Sequence, residues 1–188
     1  MEKMDIHIVG LGNLGSAFLK GLKDLKENTN IYLYEDLKDV RQSIQKDYSL
    51  TPKKSLTLIS NGVLILCIKP QNINEFFDTY KDKIAKDVLI CTPIAGLEIK
   101  TIEKYLENNV LRIMPNLLIQ DKNGFITFTS NYEGDYLNFI HNILENLGTV
   151  KEIDESMFAI VTALSGSGPA WFYELSNQLV NAGTELGL

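Results

Sequence analysis

The sequence predicts an α/β fold, a doubly wound and mostly parallel sheet, followed by the start of an all-helical region. Three observations carry this. Short apolar runs alternate with segments of helical periodicity through the first 153 residues. The first run ends in a glycine-rich turn that opens a helix. After Ile153 the alternation stops, and two helical patterns follow one another directly.

Met4–Val9 is a short apolar run and reads as the first strand. Asn13–Leu25 sets Leu14, Ala17, Phe18, Leu22 and Leu25 on one helical stripe. Ile31–Tyr34 is the second strand, and Leu37–Asp47 a helix with Leu37, Val40 and Ile44 on one side. Val63–Ile68 is almost continuously apolar, as a parallel strand covered on both faces should be. Lys69-Pro70 ends it, since proline cannot donate to a ladder. Val88–Thr92 is the fourth strand, Ile99–Leu106 a helix, and Val110–Met114 a fifth strand stopped by Pro115. Phe125–Thr129 alternates as a sixth strand. Tyr136–Leu147 is an amphipathic helix, and Thr149–Ile153 closes the sheet. Asp154–Leu164 and Pro169–Leu186 read as helices joined by a Ser165–Gly168 linker. This organisation predicts two units, 1–153 and 154–188, the second incomplete. The last helix has no following partner, and its apolar residues, Trp171, Phe172, Leu175, Leu179 and Val180 among them, predict self-association.

The chain has 188 residues, a net charge of −6 and scattered lysines, which gives no footprint for nucleic acid or anionic lipid. Cys67 and Cys91 both lie in apolar runs and read as reduced core residues. With no CxxC or Cys/His cluster, no metal site is expected. The start is not that of a signal peptide and no apolar run approaches membrane-span length, so the expected compartment is the cytoplasm.

The turn after the first strand is Gly10-Leu11-Gly12-Asn13-Leu14-Gly15. A bare GxGxxG is weak evidence, but this one follows a strand, opens a helix and precedes Glu35 by 20 positions from its last glycine. That context is the Rossmann dinucleotide fingerprint. Gly10 permits the tight turn, Gly12 close approach of a pyrophosphate, and Gly15 packing of helix on strand. The helix N-terminus supplies N–H groups and partial positive charge. Glu35 is placed to accept from a ribose 2′-hydroxyl and to repel a 2′-phosphate, so NADH is expected over NADPH.

Ligands of such sheets sit beyond the carboxyl ends of the strands. There the sequence places Cys67-Ile68-Lys69-Pro70-Gln71, Thr92-Pro93-Ile94-Ala95-Gly96 and Arg112-Ile113-Met114-Pro115-Asn116. Asn116 could orient a carboxamide, or simply stabilise a turn. Thr162-Ala163-Leu164-Ser165-Gly166-Ser167-Gly168-Pro169-Ala170 exposes several donors before a helix, which suits a carboxylate. The two histidines, His7 and His141, lie inside a strand and a helix rather than at strand ends. A dinucleotide site without an obvious acid–base residue leans towards C=N reduction, because a protonated imine accepts hydride without one.

Taken in order, GLGNLG, CIKPQ, PIAG, RIMPN and TALSGSGPA resemble the pyrroline-5-carboxylate reductase family along essentially the whole chain. The resemblance implies a Rossmann domain followed by a helical dimerisation domain, and reduction of 1-pyrroline-5-carboxylate to proline with NADPH or NADH. It implies that Gly10, Leu11, Gly12, Asn13 and Leu14 lie along the pyrophosphate, with Glu35 at the ribose. It implies that Cys67, Ile68, Lys69, Pro70, Pro93, Ile94 and Ala95 line the nicotinamide, with Asn116 nearby. Glu155 and the Ser165, Gly166, Ser167 and Gly168 loop would then face the substrate. Two departures stand out. The family often has alanine where this chain has Gly15, a conservative difference. Family members also continue for roughly 80–100 residues more, an ordinary domain's worth, through a Ser-Pro-Gly-Gly-Thr-Thr-like loop, so a chain ending at Leu188 reads as a fragment or a short homologue with poor turnover alone. Two alternatives stand beside this reading. A β-hydroxyacid dehydrogenase shares Gly166-Ser167-Gly168, but its lysine in the next helix is absent from Ala170-Trp171-Phe172-Tyr173. A non-catalytic, regulatory paralogue could keep the fold without turnover.

Overall fold

The structure, a computed structural model, describes residues 3–22 and 29–188. Seven strands form one sheet: β1 (Met4–Val9), β2 (Thr29–Tyr34), β3 (Val63–Leu66), β4 (Leu89–Thr92), β5 (Val110–Met114), β6 (Gly124–Ser130) and β7 (Gly148–Glu152). Their order is β2-β1-β3-β4-β5-β6-β7, parallel except where β6 runs against β5. Lys53 adds a single parallel bridge outside β2. The sheet is therefore a Rossmann sheet whose third strand has shrunk to one residue. The direction of chain travel across the sheet reverses at β1, which sets the ligand crevice beyond the carboxyl ends of β1 and its neighbours.

Helices cover both faces. α1 (Asn13–Leu22) and α5 (Asp135–Glu145) pack on one side with Phe18, Leu22, Ile140 and Leu144 in the core. α2 (Lys38–Tyr48) joins them through Ile44. On the other side lie α3 (Ile73–Tyr80) and α4 (Ile99–Ile102) with Phe76, Phe77 and Ile102. β3, β4 and β5 are buried along their whole length, as their apolar runs required. The edge strand β7 is largely exposed and ends in Lys151 and Glu152, charges that discourage edge-to-edge pairing.

Several boundaries differ from the sequence expectation. Between Pro70 and Val88, where the sequence pattern gives no expected element, Ile73, Phe76 and Phe77 carry α3 at i, i+3, i+4 spacing. The expected helix to Leu25 is seen to Leu22, and its remainder lies outside the described residues. The helix expected over Ile99–Leu106 is regular only to Ile102.

The Asp154–Leu164 helix is not continuous. A 3-10 turn at Glu155–Met157 leads into α6 (Phe158–Val161) and then a π-helical turn over Thr162–Gly166. The cause is local. Thr162 Oγ1 donates to the Phe158 carbonyl at 2.7 Å and Ser165 Oγ to that of Val161 at 3.2 Å, so hydroxyls compete for i−4 acceptors. The Ser167 N–H then reaches back to the Thr162 carbonyl at 2.9 Å. The expected Ser165–Gly168 linker is thus wound rather than extended. α7 (Gly168–Glu185) follows with Pro169 in its first turn, and none of its residues is buried; Trp171 and Phe172 are each 71% exposed.

Candidate functional site

The three glycines of the first turn separate by cause. Gly10 has φ +86°, and a Cβ there would lie 2.5 Å from the Cys67 carbonyl oxygen. A Cβ on Gly15 would run into the Gly10 carbonyl oxygen, so alanine at this position is not equivalent in this loop as it stands. Gly12 meets nothing within 4 Å and does not have a positive φ. Nothing inside the described chain requires a glycine there. The open space above it is the cradle that a pyrophosphate pressed against backbone would fill. The first turn of α1 carries no acidic residue, and its leading N–H groups have no acceptor within the helix. Gly12 and Asn13 are exposed, Leu14 is half-buried, and Leu11 is buried beneath them.

Glu35 belongs to this loop. Its Oε2 accepts from the Leu11 N–H at 2.7 Å and its Oε1 from the Leu37 N–H at 2.9 Å. Arg41 Nη1 braces the same corner by donating to the Glu35 and Asp36 carbonyls at 2.8 and 2.6 Å. The carboxylate is therefore anchored by backbone on both oxygens. It still borders a cleft of about 250 Å³ lined by Gly10, Asp36, Lys54, Ile68 and Phe76.

The next two strand ends continue the crevice. Cys67 and Ile68 are half-buried, while Lys69 and Pro70 are exposed. Burial pushes the Cys67 thiol far above its ordinary range, so it is a packing group and not a nucleophile. After β4, Pro93 and Ile94 are buried and Ala95 is exposed, with Gly96 turning the chain at φ +74°.

At the end of β5 the C-terminal segment arrives. Asn116 has the turn-stabilising role, its Oδ1 capping the Leu118 N–H at 3.2 Å, and in addition its Nδ2 donates to the Ser165 carbonyl at 3.3 Å. A second cleft of about 340 Å³ lies between Asn116, Leu118, Leu164, Ser165, Gly168 and Phe172. Gly166 packs on Met114, and Ser167 is exposed at the junction with α7. Glu155 is not among the residues that line this cleft; its Oε1 accepts from Arg112 Nη1 at 2.8 Å and from the Ile99 N–H at 2.9 Å. In the sequence Arg112 stands out only as part of the Arg112–Asn116 motif. The available signal was a cation inside the apolar run Val110–Met114, which must find a partner when buried.

Two family models match the chain. One, described as NADP oxidoreductase coenzyme F420-dependent, covers residues 5–96. The other, described as pyrroline-5-carboxylate reductase dimerisation, covers residues 155–188. A pyrroline-5-carboxylate reductase of Staphylococcus haemolyticus is 32% identical over 197 residues, spanning 98% of this chain and 72% of that protein. The crystal structure of a Plasmodium falciparum pyrroline carboxylate reductase with NADP bound superposes with a TM-score of 0.81 at 25% identity, over 98% of this chain and 71% of that one. A pyrroline-5-carboxylate reductase from Coxiella burnetii gives a TM-score of 0.82 at 25% identity, over 100% of this chain and 73% of that one. The glycine cradle, the crevice across the strand ends and the wound Ser-Gly-Ser-Gly turn thus sit in a chain that belongs to the pyrroline-5-carboxylate reductase family.

Proposed function

We propose that this protein reduces the cyclic imine 1-pyrroline-5-carboxylate to L-proline, the last step of proline synthesis, using a reduced nicotinamide dinucleotide. The observation that carries the reading is Gly12, open to the crevice with no internal reason to be glycine, in a chain of this family. When bound, the cofactor supplies hydride to the imine carbon. The chain's residues hold and orient. Gly10–Leu14 and the α1 N-terminus take the pyrophosphate, the Glu35 cleft takes the adenosine end, and Cys67–Pro70 with Pro93–Ala95 border the nicotinamide. Asn116 and the Ser165–Gly168 turn border the imine, with the turn's donors directed to its carboxylate. No histidine lines either cleft among the described residues, which suits an imine whose nitrogen already carries its proton. The two alternatives are not favoured: the lysine of a β-hydroxyacid dehydrogenase is absent from Ala170–Tyr173, and the relatives are named as reductases. Absence of proline formation by the intact protein, with both NADH and NADPH offered, overturns the reading.

The finer preference is for NADH. An anchored Glu35 carboxylate cannot swing aside for a 2′-phosphate, and its remaining lone pairs suit ribose hydroxyls. Glu35→Gln should shift the NADH-to-NADPH affinity ratio towards NADPH by about tenfold, read by calorimetry; an unmoved ratio removes Glu35 from specificity. The chain divides at 153/154, and α7 forms a homodimer through its exposed face, a proposal that the dimerisation model over residues 155–188 supports. Light scattering of the intact protein tests it, and a monomer at micromolar concentration refutes it. Among the described residues, no helix is long and apolar enough to cross a membrane.

A further inference from the structure

Contacts between the sheet and the C-terminal segment recur at every second residue of β5 and the turn that follows it. Arg112 Nη1 donates to Glu155, and its guanidinium carbon lies 4.4 Å from the centre of the Phe158 ring. Met114 Sδ lies 3.3 Å from where a side chain on Gly166 would begin. Asn116 Nδ2 donates to the Ser165 carbonyl. Leu111 and Ile113, between them, belong to the opposite core with α1 and α5. Period-two alternation thus turns the RIMPN segment into a seam, with one set of residues committed to the sheet's core and the other to the segment that carries the substrate turn.

The energetics of Arg112 point to placement over stability. Its side chain is 6% exposed and that of Glu155 30% exposed. Desolvation consumes much of what such a pair gains, and an apolar replacement of similar volume is often as stable. Arg112 Nε is buried without a hydrogen-bond partner, a further cost. Direction is what a guanidinium supplies that an apolar chain cannot: one N–H held on the Glu155 carboxylate while its flat face lies on the Phe158 ring. Glu155 also caps Ile99 at the start of α4, so β5, α4 and the C-terminal segment meet at one carboxylate.

We propose that Arg112 is a positioning residue for imine reduction. Through Glu155 and Phe158 it sets the height and rotation of the Thr162–Gly168 turn over Asn116, and with them the placement of the imine against the nicotinamide. The inference rests on the reductase reading above.

The test is the double variant Arg112→Met/Glu155→Gln in the intact protein, with Arg112→Lys beside it. The double variant should melt within a few degrees of the parent, since both charges are removed together and neither is left buried and unpaired. Cofactor affinity should stay within about twofold, while kcat falls about tenfold or more and the KM of the imine rises, because small misplacements near the reacting atoms cost that much. Hydrogen exchange should accelerate in residues 155–168 and stay unchanged in β1–β4. Arg112→Lys keeps the charge but not the flat guanidinium face on Phe158, and should keep stability without restoring kcat. A folded double variant with parental kcat and KM overturns the proposal. So does unchanged exchange in 155–168, or a loss of cofactor affinity equal to the loss in kcat. If the double variant does not fold, Arg112→Lys carries the same readouts. If the parent protein itself does not reduce the imine, the reductase reading fails, and the exchange comparison alone decides whether Arg112 holds the turn.

Discussion

The molecule has two glycine-rich turns, and they are held in opposite ways. The Gly10–Gly15 turn is fixed from within its own unit. Glu35 takes the Leu11 N–H, Ser16 Oγ donates to the Leu11 carbonyl at 2.7 Å, and backbone crowds two of the three glycines. The Ser165–Gly168 turn is wound by its own segment's hydroxyls but placed from outside, by Met114 at the end of β5 and Asn116 just after it, some fifty residues earlier. Gly168 has no neighbour within 4 Å of a would-be side chain. The difference teaches that the first turn, the proposed cofactor end of the crevice, is preformed inside the sheet unit by contacts from the ends of β2 and β3, whereas the second, the proposed substrate end, depends on how the C-terminal segment is laid against that unit.

The contrast can be broken most directly at Gly10. Gly10→Ala places a Cβ against the Cys67 carbonyl at a left-handed φ, and should cost about 3 kcal/mol of stability by combining strain with overlap. Urea unfolding measures this, and a loss under about 1 kcal/mol would mean that the loop yields easily. Gly12→Val should leave stability almost unchanged because the space is empty, yet weaken dinucleotide binding about a hundredfold, or ~2.7 kcal/mol. Calorimetry showing equal affinity would move the pyrophosphate elsewhere. Gly168→Ala should be neutral or stabilising by about 0.5 kcal/mol, since it adds helix propensity without a clash. A drop in melting temperature comparable with that of Gly10→Ala would erase the distinction between the turns.

The first unit also carries a pH dependence of its own. His7 on β1 stacks on Tyr32 at 4.8 Å and shares a hydrogen bond with Tyr34 at 3.2 Å. Burial, partly offset by Asp5, lowers its pKa from 6.5 to about 4. The folded state therefore holds it neutral, while the unfolded chain takes up a proton near 6.5. The stability this confers is complete above pH 6.5 and is lost as the pH falls from 6.5 towards about 4. His7→Gln should flatten the stability profile across that window, and an unchanged slope would assign the acid sensitivity to other groups.

Much of this was legible from pattern. Continuous apolar runs announced β3, β4 and β5, because a strand covered on both faces has no polar side to show. The glycine spacing announced the first turn, because the positive φ at Gly10 and the contact of Gly15 with the Gly10 carbonyl are local backbone geometry, although the Cys67 carbonyl that also crowds Gly10 comes from β3's end. α3 is hard to see in the sequence although Ile73, Phe76 and Phe77 carry its period, since Pro70 both ends the strand and opens the helical turn that leads into it. The break at Thr162–Gly166 was hidden, because helical periodicity cannot report a hydroxyl competing for a carbonyl.

Local spacing was enough to settle the alternation of strand and helix, the place of the cofactor turn and the unpartnered apolar face of α7, since each depends on neighbours along the chain. Which atoms Glu35 and Glu155 serve was decided by tertiary structure alone. A carboxylate's partners here lie 24 residues away for Glu35 at Leu11, and 43 and 56 away for Glu155 at Arg112 and Ile99. No periodicity encodes a hydrogen bond across such distances; it exists only once the sheet has brought the strand ends together.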